Sequence, residues 1–538
     1  MKPVSSLVKV FAREDLTVID EETKGSCLLN ERYDFQVCVR GAEAIEGLNL
    51  QITGVNGNYT VYSVREIKAG FESFSGGDEY MLHSEDKMYP ELLEEFEEGS
   101  AFSLVEGKTA VFWVSLSNLK QGTSAIKISV LQSEKRLCSC AYSLNVIGLE
   151  LPEMEGPITT WMHYDCIAHK CGHKPFTPEY YEVFGEYIKA FVDGGMNTLL
   201  IPTFTPALDT GVGAERMTAQ LVKVFLTNGE YSFDFSDLAY FLDFVTEKGV
   251  KYYEFAHLFT QWGAVFCPKI YVNVDGEEKK LFGWHVSSES EEYKAFLSAY
   301  LPALCAFLKE RGIEEKCFIH LSDEPREEHL ERYKRLYDFV KSLIGDIKTL
   351  DALSEYSFYQ KGAVDLPVVL TSMARPFVDN NVTHLAYYCC VPWNYSASNR
   401  FFAMPAERTR VIGTQMYQND AIGFLHWGYN FYNTQYSVRE VDPYVETDAG
   451  GNFPSGDSYI VYPTKTGVKK SIRYFLLSAG FSDYRALKLL ESYVGKEKTK
   501  ALLRKFGVYG YHAYPHSPYL FKMMREVINR SLERFAKK

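Results

Sequence analysis

ITTWMHYDCIAHKCGHKPFTPEYYEVFGEYIKAFVDGGMNTLLIPTF, residues 158–204, sets the architecture of most of this 538-residue chain. Ile158–Tyr164 reads as a strand. Thr177 then caps a helix, with Pro178 in the first turn, where its missing N–H costs nothing. Tyr180, Tyr181, Phe184, Tyr187, Ile188 and Phe191 recur at helical spacing and form one apolar face. Gly194 and Gly195 end the helix, and Thr198–Phe204 is again a strand. The same rhythm returns at Lys251–Leu258, Cys317–Leu321, Lys348–Leu353, Pro367–Thr371, His384–Cys389 and Gly423–Trp427. Helical stretches lie between, clearest at Glu291–Lys309 and Glu327–Ile344. About eight βα units across residues 151–490 predict a (β/α)8 TIM barrel.

Outward from that core the pattern changes on both sides. Residues 1–150 alternate apolar and polar residues in short runs such as Tyr33–Arg40, Leu48–Ile52, Thr60–Ile67, Thr109–Ser115 and Ala125–Leu131. Gly, Asn and Ser turns separate them, which predicts a β-sandwich. The acidic stretch Pro90–Glu98 is the exception and reads as helical. Leu149–Pro157, with two prolines and a glycine, is the expected linker. Residues 491–538 read as a helical extension. Its face of Leu520, Met523, Met524, Val527, Leu532 and Phe535 is expected to pack on the barrel, with dimerisation as the alternative.

Composition narrows the function. Lys and Arg number 57 and Asp and Glu 70, so the net charge is 57 − 70 = −13. That opposes a nucleic-acid partner and leaves acidic glycans open. No apolar run reaches the roughly 18 residues a membrane-spanning helix needs. The N-terminus, broken by Lys2, Lys9 and Arg13, lacks a signal-peptide pattern, so a cytoplasmic protein is expected. Eleven cysteines without framework spacing read as reduced thiols. Aromatic residues make up 15% of the chain. Core packing uses many, and the apolar C–H face of a sugar suits the rest.

Barrel enzymes keep their chemistry where strands end. In Cys317–Pro325 (CFIHLSDEP) an apolar strand runs into Asp323 and Glu324, and Pro325 forces the chain away. Neighbours on a regular strand point to opposite faces, so this acid pair serves one pocket only if the strand breaks there. Paired carboxylates suit glycosidic cleavage, because one of them must hold a proton at neutral pH. The plainer alternative is a cap on the following helix. Other strand ends add polar and aromatic groups: His163 and Asp165 at the first, Glu254, His257, Gln261 and Trp262 at the third, Asp351 at the fifth. The seventh leads to Tyr387, Tyr388, Trp393 and Asn394, and the eighth to His426, Trp427, Tyr429, Asn430 and Tyr432. Each alone fits packing, while together they fit a sugar pocket. His163, Cys166, His169, Cys171 and His173 match no zinc-module spacing, so no metal is expected. Gly211-Val-Gly lacks the third glycine of a dinucleotide fingerprint, and no cofactor is expected.

The run His320-Leu-Ser-Asp-Glu-Pro325 resembles the catalytic motif of glycoside hydrolase family 123, the β-N-acetylgalactosaminidases. Gly423-Phe-Leu-His-Trp-Gly-Tyr-Asn430, Gly456-Asp457, Tyr462-Pro463, Ser471-Ile-Arg473 and Asp483-Tyr484 resemble the related bacterial family called domain of unknown function 4091. Phe204-Thr-Pro-Ala-Leu-Asp209, Arg216 and His257-Leu-Phe-Thr-Gln-Trp262 are similar too, so the likeness spans roughly residues 155–492. Where relatives tend to carry a Gly-acidic-Asp-Tyr-Glu pattern, this chain has Gly480-Phe-Ser-Asp-Tyr-Arg485. The resemblance implies a retaining exo-β-N-acetylgalactosaminidase or hexosaminidase with a substrate-assisted mechanism. In it the 2-acetamido carbonyl attacks the anomeric carbon. Asp323 would orient the acetamido nitrogen, and Glu324 would act as general acid and then base. Tyr388, Trp393 and Trp427 are the candidates for closing the acetamido pocket. The substrate implied is a glycan or glycolipid oligosaccharide. Two alternatives remain: a glycosidase for a non-acetamido sugar, pairing Glu254 with Glu324, or an inactive carbohydrate-binding protein. A homo-oligomer is possible.

Overall fold

The computed structural model describes residues 1–74, 78–387 and 397–536. Its centre is an eight-stranded parallel sheet: β1 (Ile158–Thr160), β2 (Thr198–Ile201), β3 (Tyr252–Phe255), β4 (Cys317–His320), β5 (Lys348–Ala352), β6 (Leu366–Leu370), β7 (Leu385–Tyr387) and β8 (Gly423–His426). The hydrogen-bonded order is β1-β8-β7-β6-β5-β4-β3-β2. Asn197 brings β2 back to β1: its side-chain oxygen accepts from the Ile158 N–H at 2.8 Å, and its own N–H donates to the Ile158 carbonyl at 2.9 Å. The sheet is thereby nearly closed. All eight strands fall where the alternation places them, but each is short. β1 stops at Thr160, and Tyr164 already opens the helix α1 (Tyr164–Cys171).

The predicted helices follow. α2 (Pro178–Asp193) starts at Thr177, whose hydroxyl accepts from the Tyr180 N–H. It buries Tyr180, Phe184, Tyr187, Ile188 and Phe191. α3 (Ser236–Glu247), α4 (Glu291–Glu310) and α5 (Leu330–Ile344) follow β2, β3 and β4 in turn along the chain, and α4 packs on α5. The βα rhythm gave no hint of a four-stranded insert. Hairpins Lys223–Thr227/Glu230–Asp234 and Ile270–Val274/Glu277–Phe282 leave the β2 and β3 loops and pair in parallel at Phe225↔Asn273.

The N-terminal region forms two sheets. Phe35, Val37, Phe112 and Val114 of one share a core with Ile52, Ile126, Ile128 and Leu144 of the other. The acidic stretch expected as a helix is instead the strand Met88–Glu95. Tertiary pairing overrides its helical spacing: it lies between Asn58–Lys68 and Val468–Ser471. The latter belongs to a hairpin, Val461–Pro463/Val468–Ser471, from far along the chain. The boundary at residue 150 therefore divides the sequence but not this sheet. Buried Glu91 takes Arg473 across the junction, with guanidinium nitrogens 2.6–3.0 Å from its carboxylate.

Arg473 opens the long helix α6 (Ile472–Val494), and the chain ends in α7 (Pro518–Ala536). α7 packs on α6 and buries Phe521, Met524, Ile528 and Leu532; of the expected apolar face, Leu520 is exposed and Met523, Val527 and Phe535 are half-buried. Its polar face, however, bonds to the N-terminal sheets as well as the barrel side: Arg525 reaches Asp483 at 2.6 Å and Glu31 at 2.7 Å, and Glu526 accepts from the Ser26 hydroxyl at 2.7 Å. Apolar periodicity carries no record of such polar contacts. Among the described residues no helix is long and apolar enough to cross a membrane. No group of three His, Cys, Asp or Glu side chains among them is placed to hold a metal.

Candidate active site

β4 ends at His320, and the next four residues turn rather than extend. The Ser322 N–H donates to Asp351 Oδ2 at 3.2 Å, and its hydroxyl donates to the Thr260 carbonyl at 2.8 Å. The Glu324 N–H then donates to the Ala352 carbonyl of β5 at 3.0 Å, with Glu324 at φ +46°. A left-handed conformation at a non-glycine residue costs on the order of 1 kcal/mol or more and persists only where neighbours enforce it. Here it breaks the strand alternation, so two consecutive carboxyl groups are released from opposite faces. Asp323 is half-buried. Burial, then the charge of Glu324, pushes its carboxyl well above the usual range; Asp351 and Glu254 add to this, and His320 opposes it.

Beneath the turn lies a buried ionic row. His320 Nδ1 is 2.6 Å from Glu254 Oε1 of β3, and its Nε2 is 2.7 Å from Asp351 Oδ1 of β5, all three side chains inaccessible to solvent. Burial by itself would discharge the imidazole, but Asp351 and Glu254 outweigh it and raise its pKa to about 10. His320 is thus an imidazolium whose Nδ1–H donates to Glu254 and whose Nε2 forms a close ion pair with Asp351. Trp161 Nε1 donates to Glu254 at 3.0 Å, and the Tyr333 hydroxyl donates to Asp351. The His257 ring lies 3.9 Å from that of His320, centroid to centroid, with the planes tilted by 42°. Burial and the His320 charge hold it well below the ordinary histidine range, hence neutral.

On the β1–β8 side, the expected site residues tie loops together. His163 Nδ1 accepts from Arg216 at 3.2 Å, and Nε2–H donates to the Trp427 carbonyl at 2.9 Å. Burial and Arg216 lower its pKa to about 3. Arg216 also grips both oxygens of Asp165. Burial works against that carboxylate, yet the guanidinium keeps its pKa below the usual value. Asn430 exchanges hydrogen bonds with the His163 backbone at 2.9 and 3.0 Å. His426, lowered to about 4 by burial and Arg400, accepts from the Gly428 N–H at 3.1 Å. Trp427 Nε1 donates to Asp457 at 2.9 Å, which sets the plane of its indole. Tyr388 and Trp393 lie outside the described residues.

Strand-end reading missed several contributors. Trp161 and His320 join the ionic row, and Asp209 and Tyr436 approach the acid pair from the β2 and β8 loops. Asp209 is driven up to about 7, first by burial and further by the charge of Glu324, with Arg216 and the Tyr436 N–H opposing. Its signal was a polar residue in a Pro-containing loop, which spacing alone does not mark. A cavity of about 250 Å³, lined by Thr205, Arg216, Thr260, Lys269 and Trp284, borders the β2 and β3 loops rather than the carboxylates themselves.

A nearly closed parallel barrel with an acid pair at a strand's C-terminal end is an arrangement that barrel glycosidases use. The chain belongs to glycoside hydrolase family 123: the pattern described as glycoside hydrolase 123, catalytic domain, matches residues 161–490. A family 123 glycoside hydrolase from Clostridium perfringens, studied for glycolipid glycan hydrolysis, has the same fold. Its TM-score is 0.74 at 15% identity, covering 100% of this chain and 98% of that one. A family 39 glycoside hydrolase from Bacteroides cellulosilyticus aligns at TM-score 0.32 and 10% identity over 80% of each chain. No curated protein matches the chain.

Proposed function

We propose that this glycoside hydrolase is a retaining exo-β-N-acetylhexosaminidase that releases N-acetylgalactosamine from glycan or glycolipid oligosaccharides. The observation that carries this reading is the left-handed turn at Glu324, which frees adjacent carboxyl groups to act on adjacent parts of one sugar. The acetamido group and the glycosidic oxygen are such neighbours. Burial and mutual repulsion keep a proton on the Asp323–Glu324 pair. An acetamido N–H arriving at Asp323 favours its ionised form and leaves the proton to Glu324. The acetamido carbonyl oxygen then bonds to the anomeric carbon as the glycosidic bond breaks, and Glu324 protonates the departing oxygen. Glu324 next takes a proton from water, which opens the oxazolinium ring with the anomeric configuration retained.

Glu254 is a poor alternative partner, because His320 and Trp161 already occupy a carboxylate that is closed to solvent. The β1–β8 network of His163, Asp165, His426 and Asn430 holds the pocket wall, and Trp427 presents the wall's aromatic plane. The unit 151–490 carries catalysis in this reading. The sheets of 1–150 and the tail 491–538 brace it.

Hydrolysis of 4-nitrophenyl β-glycosides of N-acetylgalactosamine, N-acetylglucosamine, galactose and glucose tests the proposal, with Glu324→Gln alongside. Release from acetamido sugars alone, reduced in the variant, is expected. Release from a plain hexoside would remove the acetamido group from the mechanism.

A further inference from the structure

Two large aromatic side chains are left open to solvent beside the acid pair, Trp262 at 37% exposure and Tyr436 at 42%. They come from different loops, after β3 and β8, and meet edge to face with centroids 5.5 Å apart and planes at 88°. Both residues hold left-handed backbones, φ +58° and +60°. Their anchors lead to the catalytic turn: the Trp262 N–H donates to the Asp323 carbonyl at 2.9 Å, and the Tyr436 N–H donates to Asp209 Oδ2 at 3.0 Å. The Asp209 N–H in turn donates to Gln261 Oε1 at 2.5 Å, and Ser437 Oγ donates to the Asp209 carbonyl at 2.8 Å. Three loops are thereby stitched into one rim.

Tyr436 is anchored on Asp209 and Trp262 on Asp323, so the rim borders the acid pair. Asp209 feels the charge of Glu324, the residue that faces the departing oxygen in the proposed mechanism. We propose that Trp262 and Tyr436 form a corner that receives the leaving-group sugar, a pyranose packed C–H face against the rings, on the Glu324 side of the pair. This inference rests on the proposed activity and deepens it. Two apolar planes at right angles suit a ring with apolar faces, and Asp209 and Gln261 supply a polar edge for its hydroxyl rim. A lipid chain would gain nothing from a carboxylate there.

The test compares Trp262→Ala and Tyr436→Ala with Tyr509→Ala, which removes an exposed ring elsewhere. Two readouts are taken. One is kcat/KM on a disaccharide of N-acetylgalactosamine β-linked to galactose. The other is affinity for the thiazoline analogue of N-acetylgalactosamine, which mimics the bicyclic intermediate and has no leaving group. Each corner variant is expected to lose about 10-fold or more in kcat/KM while binding the thiazoline as the parent does. Unchanged disaccharide turnover in both would overturn the corner and leave the activity standing. Equal losses in both readouts would move the rings to the acetamido-sugar side and also overturn it. A parent protein that neither cleaves the disaccharide nor binds the thiazoline would remove the activity, and the inference with it.

Discussion

His320 Nε2 stands 2.7 Å from Asp351 Oδ1, inside a barrel wall where neither side chain meets solvent. That contact, mirrored by Glu254 on the other ring nitrogen, places an imidazolium between two carboxyl groups directly below the Asp323–Glu324 turn. Several measurable consequences follow from this charge arrangement and from the seams around it.

The first concerns stability and pH. The folded pKa of His320, about 10, lies above the ordinary histidine value of 6.5. Its contribution is therefore complete below about pH 6.5 and is lost as the pH rises through the folded value. Urea unfolding of the parent and of His320→Gln across that window should show the difference between them shrinking as pH increases. A constant difference would mean that the imidazole is neutral in the folded protein. At neutral pH the variant should lose about 3–5 kcal/mol, since it leaves two buried carboxylates without their cation.

Asp351→Asn tests the coupling to catalysis. Its charge is one of those raising Asp323. With that charge gone the acid pair should surrender its proton more easily, so the alkaline limb of the kcat/KM–pH profile should move to lower pH. Circular dichroism must first establish that the variant folds. A limb that stays in place would detach the ionic row from the acid pair, and one that moves upward would show that His320 loses its charge with Asp351.

The two carboxylates should differ in their dependence on leaving group. Glu324→Gln is expected to lose about 10²–10⁴-fold on a sugar leaving group, and less on 4-nitrophenyl glycosides, where the phenolate departs with little help. Asp323→Asn should lose activity on both alike, because in the proposed mechanism its partner is the acetamido group. Identical leaving-group sensitivity in the two variants would contradict the division of roles.

Glu91 and Arg473 join the N-terminal sheet to α6 through a buried pair. Arg473→Met should destabilise by about 3–5 kcal/mol, whereas replacing both partners with apolar residues should recover most of that loss. Denaturant midpoints of the two single variants and the double variant provide the cycle. No recovery in the double variant would mean that Arg473 acts mainly through its bonds to the Arg400, Gly456 and Tyr459 carbonyls.

The barrel was legible because strand–helix alternation is a local signal. Thr177, Pro178 and the 180–191 apolar stripe act within a few residues of one another, and the structure places α2 where they point. The Asp323–Glu324 pair was legible for a similar reason: a proline directly after two acids announces a strand that stops. Met88–Glu95 was misread because its fate depends on pairing with Asn58–Lys68 on one side and with Val468–Ser471, nearly four hundred residues away, on the other. Glu254 and Asp351 were correctly placed at strand ends, but nothing in their spacing says that His320 lies between them.

The sequence by itself determined the order and number of the eight barrel strands, the position of the acid pair and its family, since each rests on residues adjacent in the chain. Only the tertiary structure decided that Glu254 and Asp351 serve a buried imidazolium, that Asp209 and Tyr436 reach the mouth, and that a distant hairpin completes the N-terminal sheet. Those outcomes depend on contacts between residues tens to hundreds of positions apart. Electrostatic and packing energies set such contacts, and the order of residues along the chain does not display them.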